Sequence, residues 1–169
     1  LRGGAQCGLS ASQGAEPSVL WGEEVLAGMK AGGTASEAVS EVTAADPRRE
    51  WRQLAALDRS GGGGVFSGRQ NGALVQHLVE DDLVVAGNIL ANDRVLTQMM
   101  DGFHNGRGDL ADRLLAALRS GAKAGGDSRG LMSAAMLIVA QGKPTRTLRV
   151  DYDEKPIDNI VINGGVYVI

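Results

Sequence analysis

The segment Gly125-Gly126-Asp127-Ser128-Arg129-Gly130-Leu131-Met132-Ser133 is the richest in groups that can hold a ligand. Asp127 and Arg129 can pair, and the glycines let a ligand come close to the backbone. Gly87-Asn88 closes the apolar run Leu83-Val84-Val85-Ala86 and is a second such feature. The Asn88 carboxamide supplies both donors and an acceptor. Against both stands the plainer reading that such side chains tie down turns. A serine nucleophile elbow needs G-x-S-x-G between a strand and a helix. Ser10-Ala11-Ser12-Gln13-Gly14 and Gly8-Leu9-Ser10-Ala11-Ser12 each miss one glycine, with His77 and His104 downstream. Ser12 is therefore the candidate nucleophile of a triad hydrolase. The alternative is a buried strand whose hydroxyls bond nearby backbone.

Other near-motifs dissolve on their chemistry. Gly61-Gly62-Gly63-Gly64 has the composition of a phosphate loop, but it leads into Val65-Phe66-Ser67 rather than Lys-Ser/Thr and a helix. It reads as a turn into a strand. Two histidines and one cysteine give no zinc spacing. Asp151-Tyr152-Asp153-Glu154 opens like a calcium loop, yet Lys155 replaces a ligand and Pro156 stands where the turn glycine belongs. No metal and no cofactor is expected. Glu80-Asp81-Asp82 reads as a surface turn.

The elements that must position these groups follow from periodicity. Gln6 to Ser12 reads as a short buried strand. Pro17-Ser18 opens a helix with Trp21, Val25, Leu26 and Met29 inward, stopped by Gly32-Gly33. Thr34-Ala35-Ser36-Glu37 is a capping box that starts a second helix. Trp51 to Leu57, Val65-Phe66 and Leu83 to Ala86 read as strands. Asn92 is expected to cap a helix carrying Leu96, Met99, Met100 and Phe103. A further helix presents Leu110, Leu114 and Leu118. After a glycine-rich loop, Ala134 to Ala140 reads as a strand buried on both faces. Thr147 to Tyr152 alternates, with Leu148, Val150 and Tyr152 inward. Ile160-Val161-Ile162 and Gly165 to Ile169 flank an Asn-Gly hairpin turn. Grouped strands with paired helices favour an α+β layered fold.

The 169 residues suit one domain, assigned here to 1–169. Glycine, at 25 residues, is about twice its usual frequency of roughly 7%. Aromatics make up only 4%, so small side chains must pack the core with close approach between layers. A net charge of −3 with no basic cluster excludes nucleic acid as a partner. No apolar run approaches the roughly 20 residues of a membrane span. The lone Cys7 fits a reducing cytoplasm and a buried thiol. The small-residue helix faces would suit a homodimer.

Ala45-Asp46-Pro47 with Arg52-Gln53, Phe66-Ser67-Gly68, Gly87-Asn88-Ile89-Leu90, Gly108-Asp109-Leu110 and Gly126-Asp127-Ser128-Arg129-Gly130 with Ser133-Ala134-Ala135 occur in that order. Leu148-Arg149-Val150-Asp151 and Pro156 complete the set. This pattern, from Leu1 to Asp158, resembles the domain of unknown function 1028 family of prokaryotic proteins, assigned to the N-terminal-nucleophile (Ntn) hydrolase superfamily. The resemblance implies a four-layer αββα sandwich of mostly antiparallel sheets. It also implies an amide-bond hydrolase acting on a small-molecule or peptide substrate. In such enzymes the mature N-terminal Thr, Ser or Cys attacks, and its own α-amine serves as base. Leu1 carries no nucleophile, so the expectation is a nucleophile upstream of Leu1, with two first strands absent from this sequence. Asn88 and backbone amides would hold the oxyanion. Asp127, Arg129 and Ser133 would line the site, with Gln13 nearby. A tail at Ile160 to Ile169 departs from the family, whose members end in a helix there. The alternatives are a non-catalytic binding domain on the same scaffold and the Ser12 hydrolase.

Overall fold

The computed structural model describes residues 2–4 and 8–160, with side chains from residue 8 onward. Cys7 and the hairpin expected beyond Ile160 lie outside the described residues. The chain divides after Ile89 into two compact units. Both are mixed α+β with antiparallel sheets.

The first unit runs β1 (Arg2–Gly4), β2 (Gly8–Gly14), α1 (Val19–Lys30) and α2 (Ala35–Ala44). A 3-10 turn then leads into β3 (Arg52–Asp58), β4 (Gly63–Ser67), β5 (Gln76–Glu80) and β6 (Leu83–Gly87). Strands β1-β2-β3-β4 form one antiparallel sheet, and β5-β6 form a separate hairpin. The strand period of two splits the sheet's side chains into two sets. Leu54 and Ala56 face α1 and α2, where they meet Trp21, Val25, Met29, Ala35, Ala38 and Val39. Burying a side chain such as Val25 or Leu54, both fully enclosed, contributes about 1.5–3 kcal/mol each. The opposite face meets the β5-β6 hairpin. Helix pair, sheet and hairpin therefore stack as three layers.

Layer spacing is set at two adjacent glycines of β4. A Cβ on Gly63 would stand 2.5 Å from Val79 Cγ1 and 2.7 Å from Val84 Cγ2 on the hairpin side. A Cβ on Gly64 would stand 2.4 Å from the Ala35 carbonyl oxygen on the helix side. The expected close approach of layers is real, and it rests on missing side chains.

The caps follow local chemistry. Ser18 accepts from the Trp21 N–H at the start of α1, and Thr34 with Glu37 closes the expected capping box of α2. The Asp58 carboxylate gathers the β3–β4 turn and the helix layer together. It accepts from the Ser60 hydroxyl and N–H at 2.6 and 2.9 Å, the Gly62 N–H at 3.0 Å and the Ala35 N–H at 3.0 Å. The Ser60 hydroxyl, then the Ala35 amide, are the main causes that draw its pKa down to about 2.

The second unit holds α3 (Val95–Asn105), α4 (Leu110–Lys123), β7 (Ala134–Ile138) and β8 (Arg146–Val150). Ala111 and Leu115 of α4 pack on Met136 and Leu148 of the β7-β8 hairpin, with Ile157 and Ile160. Four expectations change here. Asn92 does not cap α3: its Oδ1 accepts from the Arg94 N–H, its Nδ2 donates to the Ala124 carbonyl, and α3 starts at Val95 without a side-chain cap. Of the expected α4 face, Leu114 and Leu118 pack on this core beside the buried Ala111 and Leu115, while Leu110 is exposed; Asp109 and Asp112 form the helix's capping box. Strand β7 is not enclosed on both faces, since Met136 is buried and Ala135 exposed. Tyr152 points to solvent at 81% exposure, because β8 ends at Val150. Among the described residues no helix is long and apolar enough to cross a membrane.

Removing the Asp58 carboxylate leaves amides of a turn and of a helix start unpaired. Asp58→Ala is expected to lower stability by about 2 kcal/mol in urea unfolding at pH 7. Because the folded carboxyl titrates at about 2, below its ordinary 3.8, its contribution is complete above about pH 4. It fades as pH falls toward 2, so the gap between wild type and variant should close over that window.

Candidate functional site

Register places three polar side chains in one row across the sheet. Gln53 of β3 lies opposite Gln13 of β2 and opposite Ser67 of β4. All three therefore share the face turned toward the β5-β6 hairpin. Gln53 is the centre of the row and is fully buried. Its Nε2 donates to Ser67 Oγ at 2.9 Å, to the Gln76 carbonyl at 3.0 Å and to the Gly87 carbonyl at 3.2 Å. Its Oε1 accepts from Gln13 Nε2 at 2.6 Å and from Asn88 Nδ2 at 3.2 Å. Gln13 Nε2 also points at the Ala86 carbonyl at 3.4 Å. Ser67 Oγ lies 3.0 Å from Nδ1 of the exposed His77. One buried carboxamide thus joins five neighbours, one each from β2, β4, β5 and β6 and Asn88 just after β6.

The structure brings together Gln13 and Asn88, two expected site residues, through Gln53, which the family pattern contains but no expectation places in the site. Its role shows only in its position opposite Gln13 and Ser67. Ser67 and His77 were likewise unmarked as a pair.

The backbone beside Asn88 is strained. Ile89 has φ 53°, in the left-handed region that a β-branched side chain rarely enters. Gly72, with φ 100°, makes room for it: a Cβ there would stand 3.0 Å from Ile89 Cγ1. Close by, the buried Asn71 pins the strand ends. Its Oδ1 accepts from the Ala15 N–H, and its Nδ2 donates to the carbonyls of Arg52 and Gly68. The Gln13 end of the row is thereby anchored.

Ser12 faces the helix layer, like Ser10, whose hydroxyl donates to the Gly22 carbonyl at 2.8 Å. Ser12 Oγ accepts from the Ser18 N–H at 3.3 Å, while His77 is bonded to Ser67.

In the second unit Asp127 and Arg129 pair as expected. Arg129 donates through Nε at 3.0 Å and Nη2 at 2.7 Å, and its N–H donates at 2.8 Å. The Arg129 side-chain hydrogen bonds hold the Asp127 carboxyl below the usual range despite partial burial. The same pairing raises the Arg129 pKa. Asp127 also bridges to Leu90. Ser133 is exposed and precedes β7. Among the described residues no group of three His, Cys, Asp or Glu side chains is placed to hold a metal ion.

The fold that carries these features is of the mixed α+β class. The sequence matches the family of unknown function DUF1028 over residues 1–160, and the chain belongs to that family. The crystal structure of a Silicibacter pomeroyi protein of the same family is similar, with 39% sequence identity and a TM-score of 0.89. The similarity covers 94% of this chain and 71% of that one. No curated protein matches the sequence.

Replacing Gln53 strands the Gln76 and Gly87 carbonyls and frees both outer amides. Gln53→Met, which keeps the volume, is expected to cost about 3 kcal/mol in chemical denaturation. Gln13→Ala, at the partly exposed edge of the row, is expected to cost about 1 kcal/mol in the same assay.

Proposed function

We propose that the chain is an Ntn-type amide-bond hydrolase domain built as a four-layer αββα sandwich. The family resemblance supplies the reaction class. The first unit carries a helix pair on an antiparallel sheet, and the second carries α4 packed on an antiparallel hairpin, both compatible with that architecture.

The observation that carries the reading is the amide cluster around Gln53. Amide hydrolysis builds negative charge on the carbonyl oxygen, and fixed donors stabilise it most when they need no reorganisation. Gln53 holds Asn88 in place through one N–H, leaving the second N–H as such a donor. Backbone strain at Ile89 fits a site whose geometry is held against local preference. The Asp127–Arg129 pair is a separate binding element of the second unit. Its bidentate geometry leaves Nη1 of the exposed Arg129 for an anionic group. The nucleophile in this reading is the α-amine-bearing residue of the mature protein, and no side chain of the Gln53 cluster takes that part. The Ser12 alternative would need a base at Ser12, and His77 is engaged with Ser67.

A second reading, a non-catalytic binding domain, is favoured by the cluster's neutrality: it contains carboxamides, a hydroxyl and an imidazole, but no carboxylate or ammonium. Two measurements separate the readings. N-terminal sequencing of protein purified from its natural source should give Thr, Ser or Cys first; any other residue sinks the Ntn assignment. A panel of amide substrates should then show turnover that falls about 100-fold in Asn88→Ala, with kcat reduced more than KM rises. Ligand-induced rises in Tm without turnover across the panel would select the binding reading.

A further inference from the structure

We propose that the cluster around Gln53 selects ligands through a neutral carboxamide group and discriminates against the corresponding carboxylate. The proposal deepens the reading above by naming the group recognised. It rests on that reading only for placing a ligand at Asn88 and Gln13.

The selectivity follows from a chain of forced orientations. Two backbone carbonyls, of Gln76 and Gly87, face one end of the Gln53 carboxamide. Carbonyl oxygens only accept, so the nitrogen must occupy that end. The Oε1 then occupies the other end, and both Gln13 and Asn88 must donate to it. Gln13 spends its remaining N–H toward the Ala86 carbonyl. What it has left is Oε1, an acceptor. Asn88 has left one N–H and Oδ1. The cluster therefore offers a ligand two acceptors and one donor, none of them charged. Reversing any one amide requires reversing Gln53, which would set its oxygen against two carbonyl oxygens in a buried place. Such an arrangement leaves buried polar groups opposed and unpaired, which the fold avoids.

A carboxamide presents two N–H donors and a carbonyl acceptor, the complement of that inventory. A carboxylate presents acceptors alone, so two of the three offered groups would oppose it. Sites built around fixed hydrogen-bond partners reject the mismatched analogue strongly, because their own groups are left unpaired. Gln13 and Asn88 are both partly exposed, unlike the buried Gln53. Gln53 is a positioning residue in this scheme: it touches no ligand and sets the polarity of the two that do.

The test is titration of the wild-type protein with succinamide and, separately, with succinate at pH 7. The side-chain NH2 signals of Asn88 and Gln13 are followed in 15N–1H spectra. Succinamide is expected to move the Asn88 signal saturably, with succinate binding at least about tenfold more weakly, a difference of about 1.4 kcal/mol. Asn88→Leu, followed at the Gln13 signal, removes the donor and acceptor without adding charge and should abolish the preference. Equal or tighter binding of succinate overturns the proposal, and so does the absence of saturable shifts with both probes. Because the readout is binding, a hydrolase assay that finds no turnover leaves the carboxamide preference standing, and a lost preference leaves turnover to be judged on its own.

Discussion

A single buried carboxamide, that of Gln53, fixes the inner face of the first unit. An unpaired amide there would cost on the order of 1–3 kcal/mol for each orphaned group. The fold meets that constraint by bringing three strands of the sheet and both strands of the hairpin to the same point. Gln13 and Ser67 come from the neighbouring strands, the Gln76 and Gly87 carbonyls come from the hairpin, and Asn88 from the residue after it. Because a carboxamide has a donor end and an acceptor end, the contact fixes register as well as distance. A one-residue slip of β3 would turn Gln53 into the helix layer and Leu54 onto the hairpin.

The helix layer is held by a different kind of interaction. Leu54 and Ala56 pack against α1 and α2, and Trp21 meets Phe66 edge to face at 6.1 Å. At the rim the Arg52 guanidinium lies over Trp21 and donates to Asp46 at 2.8 Å. Burial pushes the Asp46 carboxyl up, and hydrogen bonds from the Arg48 N–H and from Arg52 more than offset that, so it titrates below the usual range. One face of the sheet is thus mainly apolar, apart from Ser10 and Ser12, and the other carries the polar row. The two faces are one residue apart along every strand.

Much of this was legible in the sequence wherever the cause was local. Thr34 and Glu37 announce a capping box because the motif closes within four residues. Trp21, Val25 and Met29 mark a helix face because they lie one above another. Gly87-Asn88 stands out at the end of an apolar run. Gln53 belongs to the family pattern, but its role is not legible there because it depends on two other strands and on a hairpin further along the chain. Strand β5 was missed for a related reason: Gln76-His77-Leu78-Val79-Glu80 has little apolar content, being largely exposed, and only its pairing with β6 makes it a strand. The α4 face is legible at Leu114 and Leu118 but not at Leu110, which stands in the first turn and is exposed. Asn92 looked like a cap by type, but its amide reaches the end of α4 instead.

Ile89 and Gly72 carry a consequence for how this sequence can drift. The isoleucine keeps a left-handed backbone that glycine would hold at no cost, and it fits only because the facing position has no Cβ. Enlarging Gly72 alone meets the Ile89 side chain and a disfavoured φ; shrinking Ile89 alone opens a gap beside Asn88. Position 72 is thus held to glycine twice over, by its own backbone and by the Ile89 side chain facing it.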